Sequence, residues 1–302
     1  MSASATRPGR LKIGVISAGK VGATIAAALR ATGHTITGAY AHSEASTDRL
    51  EAMLPGVPAM EIEQIAAASE MILLAVPDDE LGPLVAGMAK LGLWKRGHLA
   101  VHVAGRFGTG VLDPAAEAGA IPLAIHPAMT FTGTSLDLKR LIECPFGITA
   151  SPMFLPIGQA LVEEIGGHAV PIEEEDRGLY HAAICHGANH AVTLVNQAMR
   201  MLQSLGIEDP GTYLAPLVHA SIDGALRSGE KLLTGPVVRG DAGTVAEHLE
   251  AIDALAATDN ATDIPPVYRA LATATAERAH VRQVLSDSQL HAVMGAIGVM
   301  ED

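Results

Sequence analysis

The sequence predicts an α/β chain. A doubly wound sheet occupies residues 11–172 and an all-helical domain residues 173–302, behind a short tail at 1–10. Three observations carry this. Strand-like and helix-like segments alternate through the first half, the pattern of a sheet with crossover helices. After residue 172 long helical segments take over with no convincing strand among them. Leu11–Arg30, LKIGVISAGKVGATIAAALR, reads as a strand, a glycine turn and an alanine-rich helix.

Taken in order, Lys12–Ile16 is the first strand and Thr35–Tyr40 (TITGAY) the second. A helix around Ser46–Met53, a short strand near Val57–Met60 and a short helix at Glu63–Ala68 follow. Met71–Val76 (MILLAV) is apolar throughout, as a parallel strand covered on both faces must be. Next come a helix at Asp79–Leu91, a strand at Leu99–Val103, a mostly helical Gly108–Ala118 and a strand at Pro122–Ile125. Cys144–Thr149 and His168–Ile172 are the last strands, with a helix at Met153–Ile165 between them. The helical half divides into Glu174–Leu205, Asp209–Ser228, Thr244–Ala257, Pro265–Ala279 and Ser286–Ile297. Asp209-Pro210 is a cap followed by proline at the first helical position. Thr244 to Glu247 has the spacing of a capping box.

Composition narrows the function classes. The chain has 302 residues, 49% of them hydrophobic and 18% charged, enough for a large core. A net charge of −13 argues against nucleic acid as a partner. Cys144 and Cys185 give neither a disulfide framework nor a metal-ligand spacing, so no metal site is expected. MSASATRPGR lacks the apolar stretch of a signal peptide, and no apolar run reaches membrane-spanning length. The expectation is a soluble cytoplasmic protein with no membrane partner.

The glycine turn carries the clearest chemistry. Ser17-Ala18-Gly19-Lys20-Val21-Gly22 sits between strand and helix, as a dinucleotide fingerprint requires. Gly19 lets backbone N–H groups approach a pyrophosphate, Gly22 lets the helix pack on the strand, and the helix N-terminus favours the phosphates. Ser17 replaces the first glycine of the fingerprint, a turn that serine enters if its φ stays negative. At the end of the second strand, where NAD-binding proteins carry an acid, stand Ala41-His42-Ser43, with Ser46 and Arg49 behind and Glu44 in the same loop. Hydroxyls and a cation suit the 2′-phosphate of NADP.

Other candidates lie at strand ends, where open α/β sheets bind ligands. Val76-Pro77-Asp78 would pass beside the cofactor, with Asp78 or Asp79 equally readable as a helix cap. Gly105 closes VHVAG after His102, and His126 opens HPAMTF; the two histidines at successive strand ends would converge on one pocket. On the first long helix His181, Cys185 and Asn189 fall at i, i+4, i+8 and share a face. His186 and His190 form one i, i+4 pair with no Glu inside, so no metalloprotease helix is present. In the loop Thr234–Thr244, Arg239 either binds a substrate carboxylate as a two-donor fork or pairs with Asp241 to hold the loop.

Together IGVISAGKVG, AVPDDEL, VHVAG, AIHPAMTF, YHAA…N from Tyr180 to Asn189 and TGPVVRGD from Thr234 span most of residues 12–245. In this combination the chain resembles the bacterial family of Rossmann-like and DUF2520 domain-containing proteins, within the wider group of pyrroline-5-carboxylate and ketopantoate reductases. The resemblance implies an NADP-binding Rossmann domain followed by a helical domain of the 6-phosphogluconate dehydrogenase C-terminal-like type. That second domain would serve substrate binding and homodimerisation. Ser17 and His42 stand where the family more often has Gly and Arg. The resemblance also points to pantothenate biosynthesis and the reduction of 2-dehydropantoate to pantoate. Ketopantoate reductases place a Lys on the first long helix, whereas no Lys lies between Lys139 and Lys231 here.

The expectation is an NADP-dependent reductase of a small carboxylated carbonyl substrate. His181 or His126 would be the general acid, Asn189 would orient the carbonyl and Arg239 would hold the carboxylate. Imine reduction of the pyrroline-5-carboxylate kind, and a non-catalytic NADP-binding sensor, are the alternatives.

Overall fold

A computed structural model describes residues 9–298, so most of the tail expected at 1–10 lies outside the described residues. The chain divides into two compact units, 1–187 and 188–302. The change from strand to helix falls at Pro171, one helix before that division. No helix among the described residues is long and apolar enough to cross a membrane.

The first unit runs β1 (Lys12–Ile16), α1 (Lys20–Ala31), β2 (Thr35–Tyr40), α2 (Glu44–Met53), α3 (Ile62–Ala68), β3 (Met71–Leu74), α4 (Asp78–Lys90) and β4 (Leu99–His102). It continues with α5 (Asp113–Glu117), β5 (Ile121–Pro127), α6 (Leu136–Arg140), β6 (Pro145–Thr149), α7 (Leu155–Glu164), β7 (His168–Pro171) and α8 (Arg177–Ile184). The strands form one seven-stranded sheet in the order β2-β1-β3-β4-β5-β6-β7. Strand periodicity divides its side chains between two cores. Ile13, Val15, Leu73, Val101 and Leu123 pack in one, with α1 and α7. Ile16, Ile72, Leu74 and Ala100 pack in the other, with α3, α4 and α5. That two-sided burial is why β3 reads as an unbroken apolar run.

The doubly wound sheet is mostly parallel, except that β6 runs antiparallel to β5, with β7 parallel to β6. A parallel connection needs a crossover that carries the chain back along the sheet. The five-residue α6 is about 7.5 Å long and does not supply one. Val57–Met60 is no strand but a single bridge from Ala59 to Ala39. Pro58 contributes no N–H to a ladder there.

The second unit contains α9 (His190–Ser204), α10 (Pro210–Ser228), α11 (Pro236–Arg239), α12 (Ala242–Asp259), α13 (Ile264–Val281) and α14 (Asp287–Ile297). Val237, Val245, Leu249, Ala276 and Val293 make its main core. The single helix expected over Glu174–Leu205 is broken: a 3₁₀ turn at Glu174–Asp176, then α8, a π-turn at Cys185–Asn189, then α9. Asp209 caps α10 as expected, accepting from the Thr212 N–H at 3.1 Å. The capping box at Thr244 is displaced: Asp241 caps α12, accepting from the Thr244 N–H at 3.2 Å and hydroxyl at 2.7 Å.

Candidate functional site

The parallel strands β1, β3, β4 and β5 deliver their C-terminal ends to one edge of the first unit. There the turn Ser17–Gly22 links β1 to α1. Gly19 is the residue before the helix, and among the described residues α1 has no side-chain cap. Its first N–H groups are therefore open to a ligand acceptor. A Cβ on Gly22 would lie 2.3 Å from the Ser17 carbonyl oxygen, so close packing demands glycine. A Cβ on Gly19 would meet nothing nearer than the Ser17 hydroxyl at 3.4 Å. The space above Gly19 is thus free of protein. Ser17 has φ +79°, not the negative value expected, because the turn keeps the left-handed geometry of the glycine it replaces.

A cleft of about 500 Å³ opens at this turn, lined by Ser17, Gly19, Tyr40, His42, Ser43, Ser46, Arg49, Val76 and Glu80, among others. It gathers residues proposed for the cofactor from three strand ends. Ala18 is buried and binds the Tyr40 carbonyl through its N–H, while Lys20 and Val21 open α1. His42 stacks on Tyr40 with ring centroids 6.3 Å apart. Ser43 caps α2 in a capping box with Ser46, so that helix starts at Glu44 and not near Ser46. Arg49, behind them, lies 3.4 Å from the Ala18 carbonyl oxygen. Pro77, not an aspartate, precedes α4; Asp78 and Asp79 instead pair with Arg106 at 3.1 and 3.0 Å. The uncapped helix end, the vacant space at Gly19 and the hydroxyl and cation at the β2 end fit a dinucleotide. A larger hollow of about 790 Å³, lined by Leu11, His34, Glu70 and His98 among others, lies where the strands begin and does not include the Ser17–Gly22 turn.

The histidines separate into different roles. His102 is fully buried and satisfied within the chain: Nδ1 accepts from the Ala104 N–H at 3.2 Å and Nε2 donates to the Gly108 carbonyl at 2.7 Å. Burial lowers its pKa to about 4, so it is a neutral structural residue and does not join His126 in a pocket. His126 does meet His181, edge to face with centroids 6.0 Å apart. Both rings crowd Gly105: a Cβ there would lie 2.5 Å from His181 Cδ2 and 3.0 Å from His126 Nε2. His126 Nδ1 is hydrogen-bonded to the Tyr180 hydroxyl at 2.9 Å. Burial, then the facing His181, Arg177 and His102, lower the His126 pKa to about 4. Cys185 Sγ lies 3.6 Å from His181 Nε2, confirming the i, i+4 contact.

The sequence reading gave no role to Arg177 or Tyr180, although both stand within four residues of His181 on α8. Tyr180 covers Gly147, where a Cβ would fall 2.5 Å from its hydroxyl. Arg177 is 1% exposed. It donates to Thr149 Oγ1 at 2.7 Å and to the carbonyls of Gly147 (3.0 Å), Ala124 (3.1 Å) and Gly105 (3.5 Å). A polar residue three before Tyr180 and four before His181 was the available signal.

In the second unit Asn189 ends the π-turn and is exposed. The i→i+5 pitch of that turn breaks the i, i+4, i+8 spacing read from the sequence. Arg239 ends α11, is exposed, and makes no ion pair with Asp241 among the described residues. Asp241 has its structural explanation as the α12 cap.

Comparison with known proteins agrees with this architecture. No curated protein matches the sequence. The fold is similar to that of a candidate NADP oxidoreductase from Bacteroides fragilis, at TM-score 0.73 and 21% identity over 89% of this chain and 98% of that one. It is also similar to an imine reductase from Myxococcus stipitatus in complex with NADP⁺, at 0.62 and 19% over 95% and 99%. A pyrroline carboxylate reductase from Plasmodium falciparum with NADP bound gives 0.54 and 13% over 90% and 98%. Residues 1–127 match the Rossmann-like domain and residues 144–275 a domain of unknown function, DUF2520. The chain belongs to the proteins that join a Rossmann-like domain to a DUF2520 domain.

Proposed function

We propose that the protein is an NADP-dependent oxidoreductase that reduces a small carboxylated carbonyl compound, with 2-dehydropantoate the first candidate. The carrying observation is the uncapped N-terminus of α1 opening on a cleft that also holds His42, Ser43, Ser46 and Arg49. Ser17 to Gly22 would cradle the pyrophosphate, and Ser43, Ser46 and Arg49 a 2′-phosphate. NADPH, when bound, supplies the hydride. The chain binds, orients and moves a proton, with His181 or His126 beside Gly105 as donor. The named imine and pyrroline carboxylate reductases support the cofactor and the reaction class. The reading includes a homodimer through the helical unit, since Tyr213, Leu217, Ile222 and Leu226 of α10 are exposed.

One observation favours a second substrate class. With its pKa lowered to about 4, His126 is neutral at pH 7 and a weak acid. An iminium substrate arrives with its own proton and needs none from the protein, so reduction of C=N is the nearest competitor.

NADPH oxidation, followed by absorbance against 2-dehydropantoate and pyrroline-5-carboxylate, separates these readings, with NADPH and NADH binding titrated in parallel. Turnover abolished by His181→Ala or by His126→Ala is the expected result for a carbonyl. Turnover of the imine that survives both His181→Ala and His126→Ala selects the competitor. Tight NADPH binding without turnover replaces the reductase by a sensor, and absence of binding overturns the cofactor site.

A further inference from the structure

Arg177 is a buried cation whose acceptors are all neutral. Among the described residues no carboxylate lies within 4.0 Å of its guanidinium; Glu174, which precedes α8, instead accepts from Thr109 and Gly110. Leaving such a charge unpaired is costly, and three main-chain carbonyls with one hydroxyl offset only part of that cost. The carbonyls it grips belong to Gly105, to Ala124 of β5 and to Gly147 of β6. These are the segments that place the His126 ring, its Tyr180 partner and the glycine against which both histidines pack. The guanidinium carbon also lies 5.6 Å from the Tyr180 ring centroid, within cation–π range.

We infer that Arg177 is a positioning residue: it fixes Tyr180 as the donor to His126 Nδ1, so that His126 presents Nε2–H at the strand end beside Gly105. The geometry supports that direction: the Tyr180 hydroxyl lies 2.9 Å from His126 Nδ1, with the Arg177 guanidinium carbon 5.6 Å from the phenol ring centroid. A guanidinium at the ring makes the phenol a better donor and a poorer acceptor, and disfavours a second proton on His126. The ionisable groups facing His126 are Tyr180 and His181 on α8, Arg177 beneath them and His102 on β4; none is an acid that would favour imidazolium. An Nε2–H held beside Gly105 is a donor that a ligand carbonyl, or the oxygen that gains charge on reduction, could accept from. That last role rests on the reductase reading; the tautomer does not.

The test is nitrogen-15 NMR of the histidine rings in the free, full-length protein. Nδ1 of His126 should be the unprotonated nitrogen at pH 7, with titration near pH 4. Tyr180→Phe should abolish the preference for one tautomer. Arg177→Met should mix the tautomers and raise the His126 pKa, and Arg177→Lys should restore most of the wild-type behaviour. Protonated Nδ1 in the wild-type protein overturns the inference even if Arg177→Met does not fold. So does an unchanged His126 spectrum in folded Arg177→Met or in Tyr180→Phe. Turnover with the wrong tautomer leaves the reductase intact and removes this role for Arg177. The right tautomer without turnover does the reverse.

Discussion

The glycine turn and the histidine cluster stand on one sheet edge and are built in opposite ways. The turn is a backbone site. Six consecutive residues make it, and its selectivity comes from what is missing: a Cβ at Gly22, a side-chain cap on α1. The cluster is a side-chain site assembled over long sequence separations, with His126 meeting Tyr180 across 54 residues and Arg177 reaching Gly105 across 72. The first is robust to changes elsewhere and intolerant of a methyl group. The second depends on the register of β5 against β6 and on the pitch of α8.

Methyl groups at the two glycines give the largest expected effect and divide folding from binding. Gly22→Ala places a carbon 2.3 Å from a backbone oxygen, so the turn must shift. NADPH affinity should fall at least about 100-fold, roughly 2.7 kcal/mol, together with the melting temperature. Gly19→Ala meets only a hydroxyl at 3.4 Å, so its melting temperature should stay put. Its NADPH affinity should still drop, because the methyl occupies ligand space. Calorimetric titration beside thermal melts checks both. Equal affinities in Gly19→Ala and wild type would remove the phosphates from this turn.

Protonation sharpens the contrast, because the backbone site has nothing to titrate. His102 has a folded pKa of about 4 against 6.5 as its ordinary value. Between those limits the unfolded chain binds a proton that the folded chain refuses, so stability rises with pH. The contribution is complete above about pH 6.5 and lost as pH falls toward 4, at most about 3 kcal/mol. Urea unfolding at pH 7 and pH 4.5 should show that loss in the wild type and a smaller one in His102→Gln. An equal loss in both would move the acid sensitivity to another group.

What the sequence disclosed follows the same division. The glycine turn, β3 and the Asp209 cap were legible because each is set by residues within a few positions. His126 and His181 were recognised as strand-end and helix residues, and their contact was not, since it arises where the sheet brings β5 under α8. Arg177 was illegible because an arginine at a helix start ordinarily points to solvent. The antiparallel β6 was hidden because strand direction depends on the length of the connection, which no strand pattern records. Thr244 and Glu247 fit a capping pattern that Asp241, three residues earlier, fulfilled first.

Ser17 offers the smallest effect and the closest test of the backbone site. Its φ of +79° is a conformation that costs a side-chain-bearing residue on the order of 1 kcal/mol. Glycine removes that cost while enlarging the unfolded ensemble, so Ser17→Gly should stabilise the protein by less than about 1 kcal/mol. For a domain this size that is a rise of about 2–3 °C in melting temperature. NADPH affinity should be unchanged or slightly tighter, because the backbone geometry is already the one glycine would adopt. A lower melting temperature would show that the serine hydroxyl, near the space above Gly19, contributes more than the strain costs. Serine would then be an active part of the turn, and the fingerprint's first position would be chosen for its side chain as well as for its φ.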